Sequence, residues 1–148
     1  MKDLTIPIFV GVVVYAASQY FLKLILEPII EFRKLLSEIS HTVLLNQGII
    51  FSGDSDDKDL QGQLSALSAK LRSSVYLIPY YTLLNRLKVF GIPKKENILL
   101  ACRQLNQLSY GVLNMGKEVS RVVKENEASL KEISRLLDIE TTYVLKDE

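Results

Sequence analysis

From Leu4 to Leu22 the chain carries no charged side chain; the stretch reads LTIPIFVGVVVYAASQYFL, and charges stand just outside it at Lys2, Asp3 and Lys23. As an α-helix this run is about 28 Å long, close to the ~30 Å hydrocarbon thickness of a bilayer. The pattern predicts a membrane-spanning helix with Leu4, Phe9, Val13, Gln19 and Leu22 in the span. A signal peptide fits less well. The leader Met1-Lys2-Asp3 has side chains that cancel, and after the small Ala16-Ala17-Ser18 the apolar run continues through Gln19-Tyr20-Phe21-Leu22 into Leu24-Ile25-Leu26. A buried core helix also fits less well, because the following helices have polar faces and wrap poorly around a helix that is apolar on all sides. Thr5 and Ser18 can bond back to the helix backbone, and Pro7 falls in the first turn, where proline costs little. Tyr20 suits the headgroup level. Gln19 reads as an amide near enough to the interface to be wet; deeper, it would seek a neighbouring helix.

Beyond the span the apolar positions recur at threes and fours. Ile29, Phe32, Leu36, Ile39 and Val43 form one helical stripe, which Gly48 is expected to close. Pro28 stands at the junction and predicts a kink or the first turn of a new helix. Leu60, Leu64, Leu67, Leu71 and Val75 or Ile78 predict a second helix starting near Asp57 or Asp59. Pro79 breaks it, the pattern resumes through Tyr80, Leu83, Leu84 and Leu87, and Gly91 and Pro93 end it. No proline occurs from Lys94 to Asp138, so a long third helix is expected. Leu105, Val112, Val119 and Ile133 share one heptad phase with Asn126 in the gap; Leu108, Met115, Val122 and Leu136 share another. Such spacing suits a bundle or coiled-coil face, and an Asn in the seam can set register. Leu105, Val112, Val119, Asn126 and Ile133 are therefore the candidate self-association residues. Gly111 and Gly116 each weaken a helix by about 1 kcal/mol relative to Ala, so a bend or break is expected near Asn114-Met115-Gly116.

These elements predict an all-α protein. An N-terminal single transmembrane helix continues into a cytoplasmic antiparallel three-to-four-helix bundle or long helical hairpin. The expected divisions are an anchor over 1–26, a helical bundle over 27–138 and a short tail over 139–148.

Charge adds a direction. Lys23, Arg33 and Lys34 follow the span and only Lys2 and the α-amino group precede it, which places the N-terminus outside and the body in the cytoplasm. The net charge of +1 gives no general attraction to nucleic acid, and none is expected as a partner. Between Leu60 and Lys95 all charged residues are basic: Lys70, Arg72, Arg86, Lys88, Lys94 and Lys95. If the second helix returns antiparallel to the first, the turn from Arg86 to Lys95 meets the inner leaflet. Arg86, Lys88, Phe90, Lys94 and Lys95 are then the lipid-surface candidates, with Val89 and Ile92 able to dip into the interface. Each basic residue near an anionic surface contributes about 1 kcal/mol.

Little in the chain points to reaction chemistry. Counted from Asp54, the sixth and twelfth places of a calcium loop hold Asp59 and Ser65 instead of Gly and Glu. His41 is the single histidine and lies off the main stripe; Cys102 is the single cysteine and reads as a small core residue. Tyr76, Tyr80 and Tyr81 around Pro79 read as aromatics filling the volume that a helix break opens. No cofactor is expected. The composition and stripes fit a single-pass interaction or scaffold protein, self-associating or binding a membrane-protein partner. The alternatives are a membrane-acting effector or small channel assembled through the N-terminal helix, and an accessory subunit of a membrane enzyme.

Overall fold

The computed structural model describes residues 5–52, 56–87, 90–113 and 118–143. In chain order these form α1 (Thr5–Phe21), a π-helical turn (Leu22–Leu26), α2 (Glu27–Leu45), α3 (Gln47–Ser52), α4 (Lys58–Leu77), α5 (Tyr81–Leu87), α6 (Lys95–Gly111) and α7 (Val119–Leu137). Among the described residues β-structure is limited to one antiparallel bridge between Asp56 and Leu113. The protein is all-helical, with a long apolar helix at its N-terminus.

Pro28 marks where the first helix passes from a fully exposed stretch to a one-sidedly buried one. Its ring nitrogen cannot donate to the carbonyl one turn back, and its ring crowds that turn. The helix accommodates this by widening just before it: the Glu27 N–H donates to the Leu22 carbonyl, five residues back. Helical backbone is therefore continuous from Ile6 to Leu45, about 60 Å. Where a kink or the first turn of a new helix is expected, the helix runs on through this π turn. Downstream of it α2 buries Ile29, Phe32, Leu35, Ile39, Thr42 and Val43. Leu35 takes the inner place and Leu36 only leans against the core, because steps of three and then four after Phe32 face the core as well as four and then three.

The helix ends lie where local chemistry competes with the ladder. The Asn46 side chain donates to the Thr42 carbonyl at 2.9 Å, and α2 stops there. Gly48 instead lies inside the short α3. The Asp57 carboxylate accepts from the Leu60 N–H at 2.9 Å and caps α4. At the other end Ile78 is extended, as the residue before Pro79 prefers. Gly91 has φ +59°, in the left-handed region that a side chain disfavours. The expected long third helix is two helices, α6 and α7, folded against each other. The expected break at Asn114-Met115-Gly116 lies outside the described residues.

α4 packs between α2 and α6, α6 packs on α7, and α7 reaches α3. Cross-links give the directions. Lys70 Nζ lies 3.2 Å from Glu38 on α2, and Ser68 Oγ donates to the Cys102 carbonyl on α6 at 2.9 Å. Ser65 and Ser109 hydroxyls are 3.1 Å apart. Higher numbers on α4 thus pair with lower numbers on α6, and the groove between α2 and α4 that holds Glu38 and Lys70 runs on to Pro28 and Leu77, so both contacts are antiparallel. Ile39, Val43, Leu64, Leu71, Ile98, Leu105, Leu108, Leu130 and Ile133 are fully buried together. Each such side chain contributes about 2 kcal/mol relative to remaining exposed.

α6 and α7 meet closely at Gly111, where a Cβ would overlap Asn126 Oδ1. The Asn126 amide in turn donates to the Ile50 carbonyl at 2.9 Å and ties α7 to α3. Asp138 closes α7 in a left-handed conformation at φ +55°. The chain stays on the body past the expected boundary at 138. Thr141 is buried and donates to the Leu130 carbonyl at 3.1 Å, and Ser40 donates to the Glu140 carbonyl.

Candidate membrane-facing site

Every residue from Ile6 to Phe21 is exposed, and α1 carries no charge. None of the apolar window of this helix is buried inside the chain. Phe9, Val13, Gln19 and Leu22 all lie on this bare rod; Leu4 lies outside the described residues. Ser18 donates to the Val14 carbonyl at 2.8 Å, the expected back-bond within one helix.

The body meets the rod at one corner. Because α4 runs antiparallel to α2, its C-terminal end returns to the level of the π turn. Pro79 and Tyr80 there face Val13, Ala17, Tyr20 and Leu24 across an open apolar groove of about 950 Å³. Tyr80 in the groove is 75% exposed, and its chain neighbours Tyr76, Leu77 and Leu83 are 70%, 66% and 55% exposed. Tyr80 adopts φ +54°, unusual for a residue with a bulky side chain. Tyr81, its neighbour, turns inward: its hydroxyl donates to the Pro93 carbonyl, and burial raises its phenol pKa above the ordinary range.

The basic turn is held firmly. Asn85 donates to the Ile92 carbonyl at 2.6 Å, and the Arg33 guanidinium donates to the Phe90 carbonyl at 2.6 Å. Of the lipid-surface candidates, Arg86, Lys94 and Lys95 are exposed. Lys95 Nζ stands 5.0 Å from the centre of the Tyr76 ring. Phe90 is half-buried against the core and Ile92 is buried, so neither is free to dip into an interface. Lys88 and Val89 lie outside the described residues. The apolar part of this end is instead Tyr76, Leu77, Tyr80 and Leu83. Of the resumed stripe expected on Tyr80, Leu83, Leu84 and Leu87, Leu84 is buried with Tyr81 beside it, Tyr80 and Leu83 are exposed, and the Leu87 side chain lies outside the described residues. A detectable clue was the run from Ser73 to Asn85, which carries no charge at all and so exceeds what a one-sided stripe requires.

The self-association candidates have another place. Leu105, Val112, Asn126 and Ile133 are at most 2% exposed and pack within the chain; Val119, at 40%, lies at the start of α7. An intermolecular seam needs exposed side chains. The heptad spacing is answered here by α6 and α7 packing on their own neighbours, which demands the same apolar face as a coiled coil.

Polar chemistry is sparse. Among the described residues no three His, Cys, Asp or Glu side chains stand close enough to hold a metal ion. His41 is exposed on α2. Cys102 is buried, and burial pushes its thiol up to about 11 against the opposing pull of Arg72, which suppresses the thiolate at neutral pH. A second groove of about 380 Å³ between α4 and α6 is lined by Ser65, Arg72, Cys102, Arg103 and Asn106. No family model, curated protein or solved structure matches this chain.

Proposed function

We propose that the protein is a single-pass membrane protein that acts by binding, with α1 crossing the bilayer and the helical body held on its cytoplasmic face as an antiparallel bundle. The observation that carries this reading is the bare apolar rod: α1 is uncharged and exposed along its length, while the same continuous helix becomes one-sidedly buried after the π turn. Such a surface is costly in water and is matched by hydrocarbon. Lys23, Arg33 and Lys34 on the body side support a cytoplasmic body. The partner is the bilayer itself together with a membrane protein recognised beside it. Self-association through the heptad residues is not part of this reading, since the body already covers most of them; association between α1 helices, with Gln19 at the contact, remains the route to an oligomer.

The test uses the full chain expressed in cells. Membranes washed in alkaline carbonate should retain it, and a Phe9→Arg/Val13→Arg variant should be released. Release of the unaltered chain under the same wash would refute the spanning role.

A further inference from the structure

At the corner of the body, Tyr76, Leu77, Tyr80 and Leu83 stay more than half exposed, with Lys95 over the Tyr76 ring, although the large apolar side chains earlier on α4, from Leu60 to Val75, are buried. We infer that this corner is a second membrane contact, an interfacial foot that seats in the headgroup layer of an anionic phospholipid leaflet. The inference rests on the spanning role of α1.

Four observations point to lipid as the occupant. The first is continuity. The groove that begins at Val13 and Ala17 on α1 ends on Pro79 and Tyr80, so the foot lies where the rod would leave the hydrocarbon. The second is the side-chain chemistry. Two tyrosines and two leucines, all more than half exposed, present apolar bodies with phenolic tips, the combination favoured at a membrane–water interface. The third is the backbone of Tyr80. Its positive φ aims an aromatic ring outward at 75% exposure, a strained arrangement that no burial inside the chain repays. The fourth is charge. Lys95 lies over the Tyr76 ring, Lys94 precedes it, and Arg86 stands one turn after Leu83 on α5, with Lys23 on the rod. Glu27 and Glu96 neighbour these cations in sequence, and Glu31 lines the groove at Leu77 together with Lys34, so five cations stand against three carboxylates and the balance favours anionic headgroups.

The chain has no tryptophan, so one introduced indole reports one place. Full-length Val13→Trp, Tyr80→Trp, Leu77→Trp and Leu45→Trp variants are reconstituted into phosphatidylcholine vesicles with and without phosphatidylserine, containing lipids brominated near the headgroup or deep in the acyl chains. Leu45 is exposed at the opposite end of α2 and serves as the reference. The Val13→Trp indole should be quenched by deep bromines. Those at 80 and 77 should be quenched by shallow bromines at least threefold more than the reference, and more so with phosphatidylserine. Lys94→Glu/Lys95→Glu should remove the phosphatidylserine dependence. If Val13→Trp is quenched while the positions 80 and 77 behave like the reference, the foot is wrong and the span stands. If the foot is quenched equally with and without phosphatidylserine, the preference for anionic lipid is wrong. If Val13→Trp itself is unquenched, the spanning role fails and the foot falls with it.

Discussion

Asn126 is a polar side chain in a nearly dry place, held between the Ile50 carbonyl and the bare Cα of Gly111. A carbonyl that loses its donor in such a site costs about 1–3 kcal/mol. Asn126→Leu should therefore lower the stability of the full chain by that order in a detergent-solubilised unfolding titration, and leave its assembled mass unchanged. A change of mass with unaltered stability would restore the intermolecular seam. Cys102 gives a pH-dependent counterpart. Burial pushes its folded thiol up to about 11, above the ordinary thiol range, so the unfolded chain loses that proton first. The associated stability is complete below the lower value and declines as pH rises towards the upper one. Unfolding midpoints followed over that window should fall, and less steeply in Cys102→Ala; identical slopes in both chains would disprove the assignment. Periodicity was enough to mark Asn126 as a polar residue on an apolar face. It could not show that the partner is a carbonyl on α3, because that contact joins positions 76 apart in the chain.

At the scale of elements, the stops were more legible than the turns. Pro28, Pro79 and the Gly91–Pro93 pair act through their own covalent geometry, so their effects could be read locally, and α2, α4 and α6 begin or end beside them. Gly48 was misleading because Asn46 captures the Thr42 carbonyl two residues earlier. The division between α6 and α7 was only half legible. The glycines mark a weak stretch, but the folding back arises from burial of both helices against α4 and α3, which no local preference encodes. Which side of α5 faces inward was also beyond the pattern: Tyr80, Tyr81, Leu83 and Leu84 are all apolar, and the left-handed Tyr80 sets the phase. Replacing that residue tests the strain directly. Tyr80→Gly should raise the stability of the solubilised chain by about 1 kcal/mol, the order of the penalty for a left-handed non-glycine residue. A loss of stability would mean that the ring contributes more to the fold than its exposure implies.

For the whole molecule, the broad division of the chain was legible because it reflects solvent preference: an uncharged rod followed by helices with one wet face. How the body turns its corner towards the rod was not, since that depends on the two antiparallel contacts of α4 agreeing on one register. The π turn has a mechanical consequence here. It widens the helix without interrupting it, so α1 and α2 behave as one stiff lever whose fulcrum lies at Leu22–Leu26. Under the proposed spanning role, a tilt of about 20°, ordinary for a helix adjusting to bilayer thickness, would sweep the Leu45 end sideways by about 10 Å over the ~28 Å length of α2. The body is carried with it, since α2 contributes six buried residues to the body. If α1 spans a bilayer as proposed, bilayer thickness acts as a torque on the body, and a corner seated in the leaflet on one side of the fulcrum would set the angle at which that torque is balanced.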